Sequence, residues 1–395
     1  MSILEITIVT SYFPPEIGAA SNRIKNMSEA LSDKFDFVHV LCPLPNYPKG
    51  EIFKNYKGKF QIKESIGNIN VYRYWLYSSI SNNLFKRILS MFSFAFTLWF
   101  YAMNFNQIKK SKWVVIQNSP LLISFSSIIL FKFIFRRKIA LNVSDLWPLS
   151  ALELGVIKKG KFYDFLEWIE KFNYSNSDLI LGQSNEILQH VGGKVQKRSL
   201  LYRNLPKYNT NNSLNTREFG DFKIVYAGLL GVAQGIFDII QKINFNKLGV
   251  EFHIYGEGNE LSKILNFIEN NPNSNIKYNG SLSKEDLLKV LPTYHASIVP
   301  LTTYIKGAVP SKIFELVDLC IPILLLGEGE ASNLIKDWGV GYVCKPQNFD
   351  VLEKNIKRIK KSNIEYNVLC QNCEIVSSKE LDFDAQIENL LKIIK

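Results

Sequence analysis

The segment from Gly307 to Glu315 has the residue types needed to bind a diphosphate. Its sequence, GAVPSKIFE, places small residues before Pro310 and Ser311, which are favoured at the cap and first turn of a helix. The free amides of that turn would attract an anion, and Lys312 adds a full positive charge beside them. Glu315 lies one turn further along, where its carboxylate could bind the paired hydroxyls of a ribose. The alternative is a capped surface helix with Lys312 in solvent.

Two loops that follow predicted strands in the first half of the chain could also bind a ligand. In the loop Tyr12–Asn22, Pro14 and Pro15 stiffen the turn, and Gly18–Ala20 allow a ligand to approach the backbone closely. Amides that open into a helix suit phosphate or sugar oxygens, although an ordinary strand–helix turn could have the same sequence. Asp145 follows another strand, where its carboxylate could orient a hydroxyl, accept a proton or simply cap the next helix.

Glycine turns end two strands in the second half. Tyr226–Gly231 ends one strand and is followed by Gln234 and Gly235 at the start of a helix, and Tyr255–Gly258 ends another strand. Such turns occur in most α/β folds, so each is a weak signal of function by itself.

These residues require a scaffold in which many strand ends meet, and the hydrophobic pattern predicts one. Short β-rich runs alternate with helical stretches, which indicates parallel sheets covered by helices. The predicted strands are Ile6–Thr10, Phe37–Leu41, Val71–Tyr74, Val114–Gln117, Ile139–Val143, Leu179–Leu181, Lys223–Tyr226, Phe252–Tyr255, Ile276–Asn279, Ser297–Pro300, Ile323–Leu326 and Gly341–Cys344. The predicted helices are Arg23–Ser32, Phe85–Phe105, Leu122–Phe135, Phe162–Tyr174, Asn185–Val191, Ile236–Ile243, Leu261–Glu269, Lys284–Leu291, Ser311–Leu319, Ser332–Trp338 and Asp384–Ile394.

A polar stretch divides this pattern into two halves. Asn, Thr, Pro and Ser dominate residues 203–221, which we interpret as a linker. The expected domains are therefore residues 1–202 and 222–375, followed by a C-terminal helix over 376–395 that could pack back on the first domain. The carboxyl ends of the two sheets would border a cleft, where ligands of such folds bind.

Charge and cysteine content narrow the partners and the compartment. Lys and Arg outnumber Asp and Glu by 47 to 36, which favours a nucleic acid, a phosphorylated metabolite or an anionic membrane. The five scattered cysteines fit a reducing compartment. Among them, Cys370 and Cys373 form a lone CxxC, which we interpret as two faces of a C-terminal helix.

Two apolar runs raise the question of a membrane. Ile88–Met103 is rich in aromatic residues and lies between Lys86-Arg87 and Lys109-Lys110, whereas Leu121–Phe135 ends at a basic triplet. A bilayer-spanning helix needs about 20 apolar residues, and neither run is a good span. Both fit helices that pack on a sheet, and their basic ends could also contact anionic headgroups.

Six segments together resemble family 4 of the retaining glycosyltransferases, which have the GT-B fold of two Rossmann-like domains. These segments are FPPEIGAA (Phe13–Ala20), DLWP (Asp145–Pro148), AGLLGVAQG (Ala227–Gly235), YGEGNE (Tyr255–Glu260), NGSLSKEDL (Asn279–Leu287) and VPSKIFE (Val309–Glu315). The resemblance extends over nearly the whole chain. It is most similar to the bacterial surface-polysaccharide branch that contains N-acetyl-L-fucosaminyl transferases.

The resemblance implies that the first domain binds the acceptor and the second binds a nucleotide sugar. On the matching positions, Lys312 would hold the diphosphate, Glu315 the ribose, and Asp145 would lie near the reacting sugar. Asp145 and Lys312 are accordingly the expected catalytic residues. The expected donor-binding residues are Gly18, Gly228, Gln234, Gly256, Gly280, Ser281, Leu282, Val309, Pro310, Ser311, Ile313 and Glu315. The expected acceptor-binding residues are Ala19, Ala20 and Asn22.

The implied reaction moves an N-acetylated or deoxy hexose from a UDP-sugar to a polyprenyl-diphosphate-linked saccharide, in O-antigen or capsule synthesis. It would retain the anomeric configuration and need neither a metal nor a cofactor. The enzyme would be cytoplasmic and peripheral on the inner face of the bacterial cytoplasmic membrane, which it would contact through basic and aromatic helices of the first domain. No nucleic acid is expected as a partner.

The chain departs from the family pattern at four positions. Many members have Arg where this chain has Leu229, Lys at Gln234, an acidic residue at Gly307 and His at Ser144. A transferase then requires Lys312 to supply the charge that binds the phosphates. The alternatives are a sugar-nucleotide 2-epimerase of the same fold, a catalytically inactive membrane scaffold and an integral membrane protein.

Overall fold

The computed structural model describes residues 3–47, 50–79, 84–103, 110–207 and 221–395. The chain divides into two compact units. Unit 1 comprises Met1–Asn204 together with Asp384–Lys395, and unit 2 comprises Leu205–Phe383. Most of the expected linker, residues 208–220, lies outside the described residues.

Unit 1 contains an eight-stranded sheet. Its strands are β1 (Glu5–Val9), β2 (Phe37–Pro43), β3 (Gln61–Ile66), β4 (Ile69–Tyr74), β5 (Trp113–Gln117), β6 (Lys138–Val143), β7 (Leu179–Gly182) and β8 (Ser199–Leu201). They lie in the order β3-β4-β2-β1-β5-β6-β7-β8. All neighbours are parallel except β3, which pairs antiparallel with β4. β1 and β5 are buried along their whole length, as expected for central strands covered on both faces.

Helices of unit 1 follow most of these strands. They are α1 (Ala19–Ser32), α2 (Leu84–Met103), α3 (Leu121–Ile128), α4 (Leu149–Glu153), α5 (Lys161–Ser175), α6 (Asn185–Lys194) and α15 (Phe383–Ile394), the last almost wholly in unit 1. The predicted helix Leu122–Phe135 is helical throughout but changes type, because α3 continues as a π-helix over Ile129–Ile134. In the described part of the chain, no helix has the combination of length and hydropathy needed to cross a membrane.

Unit 2 contains a six-stranded, wholly parallel sheet. Its strands are β9 (Lys223–Ala227), β10 (Glu251–Tyr255), β11 (Ile276–Tyr278), β12 (Ala296–Pro300), β13 (Ile323–Leu326) and β14 (Gly341–Cys344), in the order β11-β10-β9-β12-β13-β14. The helices are α7 (Ile236–Lys242), α8 (Phe245–Leu248), α9 (Leu261–Asn270), α10 (Lys284–Val290), α11 (Ser311–Asp318), α12 (Gly329–Trp338), α13 (Phe349–Lys361) and α14 (Asn363–Glu380). This arrangement confirms the predicted α/β class.

Each of the twelve predicted strands is present, but two strands were missed. β3 has no buried residue, because it lies at a solvated edge of the sheet. β8 has three residues, none of them buried, at the opposite edge. Both are edge strands, whose sequences need not carry the apolar pattern of a covered strand.

The predicted helix Asp384–Ile394 is present as α15, and it packs with unit 1 as expected. The start of the C-terminal segment at residue 376 is wrong. α14 begins at Asn363 and belongs to unit 2, and only α15 lies with unit 1. Gln386 of α15 accepts a hydrogen bond from the Arg203 amide at 2.7 Å and donates one to the Arg203 carbonyl at 3.1 Å, which fixes the helix to the end of the first unit. Cys370 and Cys373 are both buried in the core of unit 2 rather than on two faces of a helix, since residues three apart share a face.

Two loops of unit 2 cross at glycines with almost no separation. A Cβ on Gly256 would lie 1.8 Å from the Gly228 carbonyl oxygen. A Cβ on Gly258 would lie 2.1 Å from the Leu230 carbonyl oxygen. Gly256 also has φ +138°, a conformation that other residues rarely adopt. The loops after β9 and β10 therefore require glycine in order to pack together.

We expect Gly256→Ala to lower the free energy of unfolding by roughly 3 kcal/mol, because the new methyl group forces the two loops apart. Chemical denaturation of the purified variant measures this change. Gly192→Ala in α6 is the control, since its Cβ would meet no atom within 4 Å and should be neutral or stabilising. Equal stability of Gly256→Ala and the native chain would show that the two loops can accommodate the methyl group.

Candidate functional site

The start of α11 has the geometry of an anion site. Pro310 occupies the N-cap in an extended conformation and gives no side-chain capping bond, so Ser311 is the first helical residue. The first amides of α11 are therefore not satisfied by a capping side chain. No acidic residue lies in the first turn, which leaves the positive end of the helix dipole uncompensated there.

Lys312 is close to Glu315 and partly buried. Its Nζ lies 3.9 Å from Glu315 Oε2, and its side chain is 27% exposed. Burial lowers the pKa of Lys312 because it disfavours the charged form, although the Glu315 carboxylate opposes the shift. A bound anion would offset that cost.

Lys284 is a residue of this site that the sequence analysis missed. Its Nζ lies 3.2 Å from Glu315 Oε1, so the Glu315 carboxylate lies between two lysines. Lys284 begins α10, whose N-cap Ser283 accepts a hydrogen bond from the Asp286 amide. Lys284 occurs within the NGSLSKEDL segment, but nothing in the sequence indicates that α10 and α11 are adjacent.

Three of the expected donor-binding glycines meet at the carboxyl ends of β9, β10 and β11. The Gly228 amide donates to the Tyr255 carbonyl at 3.0 Å, and the Gly256 amide donates to the Gly280 carbonyl at 2.9 Å. Ser281 and Leu282 follow directly and are exposed. The structure therefore brings together the strand ends that carry these residues.

Gln234 lines a small cavity in unit 2. Its side-chain oxygen is buried and has no hydrogen-bond partner among the described residues. The same cavity is lined by Gly235, Thr302 and Gln347. An acceptor without a donor beside a cavity this small can receive a hydrogen bond from a water molecule.

Val309 and Ile313, two further expected donor-binding residues, direct their side chains into the core. Their exposed fractions are 3% and 0%. Any contact that they make with a ligand must therefore come from the backbone.

In unit 1, the expected residues of the first loop lie at the start of α1. Gly18 occupies the N-cap, and its carbonyl accepts a hydrogen bond from the Asn22 amide at 3.0 Å. Ala19 is exposed, whereas Gly18, Ala20 and Asn22 are half-buried. This places the four residues on one accessible turn.

Glu16 fixes the shape of this loop. Its carboxylate accepts hydrogen bonds from the amides of Phe13 at 3.2 Å, Asn46 at 2.8 Å and Tyr47 at 2.9 Å. The carboxylate is nevertheless buried, and burial raises its pKa. Glu16 lies within the FPPEIGAA segment, and the structure gives it a structural role as an anchor.

Arg23 and Ser21 are buried polar residues near the same turn that the sequence analysis missed. Arg23 is 5% exposed, and its Nη1 donates to the Gln183 side-chain oxygen at 2.7 Å. Burial lowers the pKa of Arg23 to about 10. Arg23 Nε and Ser21 Oγ are buried and have no hydrogen-bond partner within the described ranges, which is uncommon for buried polar atoms.

Asp145 lies two residues beyond β6 and is half-buried. Burial raises the pKa of its carboxyl group. In the sheet order, β5 separates β6 from β1, the strand before the Gly18 loop. Asp145 and that loop thus follow strands two positions apart, at the carboxyl ends of parallel strands. Among the described residues, no cluster of His, Cys, Asp or Glu is placed to hold a metal ion.

Two α/β units with parallel sheets define a GT-B fold. Residues 213–374 match the family model for glycosyl transferases group 1, so a group 1 glycosyltransferase domain occupies most of unit 2. The finer assignment to family 4 and to the fucosaminyl transferase branch remains a prediction from the motifs. Curated protein sequences give no significant match to the chain.

Solved glycosyltransferase structures share the fold over nearly the whole chain. Sucrose-phosphate synthase from Thermosynechococcus elongatus superposes with a TM-score of 0.75 at 12% identity, covering 99% of this chain and 98% of that chain. Anabaena HepE in complex with UDP gives a TM-score of 0.70 at 12% identity, covering 99% of both. WaaG, a glycosyltransferase of lipopolysaccharide biosynthesis, gives a TM-score of 0.68 at 10% identity, and the match covers 99% of both chains. At these identities the similarity establishes the fold alone.

Because burial lowers the pKa of Lys312, the unfolded chain binds this proton more tightly than the folded chain. The stability associated with Lys312 should therefore be lost as pH falls through its folded-state pKa. We expect Lys312→Met to raise the thermal midpoint at pH 7 and to flatten its pH dependence above neutrality. Thermal unfolding followed by circular dichroism at several pH values measures both.

Lys289→Met in α10 is the control for this prediction, because the Lys289 side chain is 75% exposed. It should change neither the midpoint nor its pH dependence appreciably. A lower midpoint for Lys312→Met at pH 7 would show that attraction to Glu315 outweighs the cost of burying the charge.

Proposed function

We propose that this protein is a retaining glycosyltransferase that moves a sugar from a nucleoside diphosphate to an acceptor hydroxyl. The observation that carries the proposal is the position of Lys312 and Glu315 at the start of α11, inside the domain matched by the group 1 family model. Anabaena HepE, which has the same fold, was solved with UDP and with UDP-glucose. That similarity supports a UDP-sugar as the donor.

In this proposal, the start of α11 stabilises the leaving diphosphate. The free amides of its first turn and the Lys312 ammonium supply positive charge where negative charge develops during transfer. Lys312 is well suited to this role, because its partial burial weakens competition from water. It thereby replaces the positive charges that many family members have at the positions of Leu229 and Gln234.

Glu315 would bind the ribose of the donor. Lys284 and Lys312 each approach one oxygen of its carboxylate, and these oxygens can accept hydrogen bonds from two hydroxyls. The exposed backbone at Gly280–Leu282 would face the base. The unpartnered Gln234 oxygen would accept a hydrogen bond from the donor.

Chemically, the proposed transfer is a same-face displacement. The bond between the anomeric carbon and the diphosphate oxygen breaks, the acceptor oxygen bonds to that carbon on the same face, and the departing diphosphate takes the acceptor proton. Asp145 would orient hydroxyls of the transferred sugar. No step of this scheme is assigned to a metal or a cofactor.

The proposed acceptor is a polyprenyl-diphosphate-linked saccharide at the inner face of the cytoplasmic membrane, in O-antigen or capsule synthesis. Support comes from α2, whose exposed apolar side chains are Leu89, Phe92, Phe96, Phe100 and Met103. Lys86 and Lys110 near its ends are exposed, whereas Lys109 lies outside the described residues. A row of exposed rings with basic residues near its ends is typical of a contact with anionic lipid.

The decisive experiment measures nucleoside diphosphate release from a panel of UDP- and GDP-sugars, with and without a detergent-solubilised lipid-linked acceptor. We expect release from one donor, dependent on acceptor, and a loss of at least about a hundredfold in Lys312→Met. Lys289→Met is the matched control and should retain full activity.

Two outcomes of that experiment would overturn the proposal. Conversion of a donor to its epimer without acceptor would identify an epimerase. Nucleotide binding without turnover, across donors and acceptors of the expected chemistry, would identify a scaffold.

The pairing of Lys284 with Glu315 gives a separate test of the ribose contact. We expect Lys284→Ala to weaken UDP binding by about twofold to fivefold, because exposed ion pairs contribute at most about 1 kcal/mol. Isothermal titration calorimetry with UDP measures this change. Lys289→Ala, on the same helix but paired with Asp286, should bind as the native chain does. Unchanged affinity in Lys284→Ala would show that Lys284 does not position Glu315.

A further inference from the structure

We propose that a second surface of unit 1, formed by α5 and the loop before it, inserts into an anionic lipid bilayer. We call this surface the α5 platform and define it by Leu154, Val156, Phe162, Phe165 and Trp168. It is separate from the face of α2 discussed above and was not expected from the sequence.

The α5 helix has apolar residues on more of its surface than packing on the sheet requires. Tyr163, Leu166 and Ile169 are buried, as expected for the face that covers the core. Phe162, Phe165 and Trp168 are nevertheless 43%, 52% and 54% exposed. Their three-residue spacing places them along one side of the helix, so they form a second apolar stripe that the described part of the chain does not cover.

The loop before α5 extends this stripe. Leu154 is 50% exposed and Val156 is 67% exposed, although both belong to a surface turn with no need for apolar side chains. Five large apolar side chains within fifteen residues thus face solvent. Contiguous exposed apolar surfaces of this kind mark interaction sites.

The rings of the platform are held in place by aromatic contacts. The ring centroids of Phe165 and Trp168 are 6.1 Å apart, and those of Trp168 and Phe172 are 5.9 Å apart. The series continues to Phe133, whose ring is 6.2 Å from Phe172 and whose side chain is 54% exposed. The apolar surface therefore continues from α5 onto the π-helix that follows α3.

The charges around the platform indicate what covers it. Lys158, Lys159, Lys161 and Lys171 are exposed. Two acidic side chains face solvent in the same span, Asp164 and Glu167, and the second is paired with Lys194 at 2.6 Å. Lysines can place their stems along an apolar surface while their ammonium groups reach phosphates. Lysine is depleted from protein–protein interfaces, whereas aromatic rings flanked by lysines favour the headgroup region of a bilayer. An anionic lipid surface is the occupant that fits both features.

The α5 platform and α2 belong to one layer of helices. α3 joins them, because Ser126 Oγ accepts a hydrogen bond from Trp99 Nε1 of α2 at 2.8 Å and the Phe125 ring lies 5.9 Å from that of Trp168 in α5. The α5 platform would enlarge the membrane contact described under the proposed function. It rests on that function only for the reason why the protein would bind a membrane. Binding to lipid can be measured without donor or acceptor, so failure of the transferase proposal would leave this test unaffected.

The test is co-sedimentation of the full chain with vesicles of phosphatidylcholine, prepared with and without phosphatidylglycerol. We expect binding that requires phosphatidylglycerol, and a loss of about tenfold or more in partition coefficient for the triple variant F162S/F165S/W168S. The matched control is I364S/V368S/I375S on α14, whose side chains are 79%, 47% and 49% exposed in unit 2. It should bind as the native chain does.

A second variant guards against loss of folding in the first. K158E/K159E/K161E changes only exposed loop and helix-start residues. It should bind vesicles that contain phosphatidylglycerol no better than vesicles of phosphatidylcholine alone, and its circular dichroism spectrum should be unchanged. Native-like vesicle binding by either variant would overturn the proposal, as would absence of binding by the native chain. A shift from dimer to monomer in F162S/F165S/W168S, without a change in vesicle binding, would instead assign the platform to a second copy of the chain.

Discussion

The loops after β9 and β10 pass so close together that two glycines have no room for a Cβ, and the candidate site depends on this contact. The Gly256 position lies against the Gly228 carbonyl, while the Gly256 amide donates to the Gly280 carbonyl. Three strand ends are thereby held at one edge of the sheet in unit 2. A parallel sheet brings its carboxyl ends to one edge, but only close backbone packing turns that edge into a surface that a ligand can contact through amides.

Electrostatics then determine what this edge can bind. α11 begins without a side-chain cap or an acidic first turn, and Lys312 is partly buried beside it at some cost to its charged form. Glu315 lies between Lys312 and Lys284. In the proposed function, the cations bind the diphosphate of a nucleotide sugar and the carboxylate binds its paired hydroxyls. The site thus keeps residues that reduce stability, as is common where binding requires charge.

Unit 1 shows how an apolar sequence can serve two different purposes. The apolar residues of α2 and α5 predict helices that pack on a sheet, and part of each helix does so. The remainder, including Phe96 at 72% exposure and Trp168 at 54%, faces solvent within the described residues. Hydropathy is the same for a ring that meets the core and a ring that meets lipid, so periodicity could not separate these faces. The polar edge strand β3 is the opposite case, because its pairing with β4 depends on backbone hydrogen bonds that the side-chain pattern does not encode.

The sequence by itself determined the α/β class, twelve of the strands and the position of the VPSKIFE helix start, because these depend on local apolar runs, glycine turns and capping residues. The family resemblance also predicted that Lys312, Glu315 and the glycine loops share one site, and that grouping stays a prediction. Only the tertiary structure decided that Lys284 reaches Glu315, that Arg23 is buried beside Gln183, that α15 rather than α14 returns to unit 1, and that α5 presents a second apolar stripe. Each of these depends on contacts between segments distant in the chain, and the spacing of residues along a sequence does not specify such contacts.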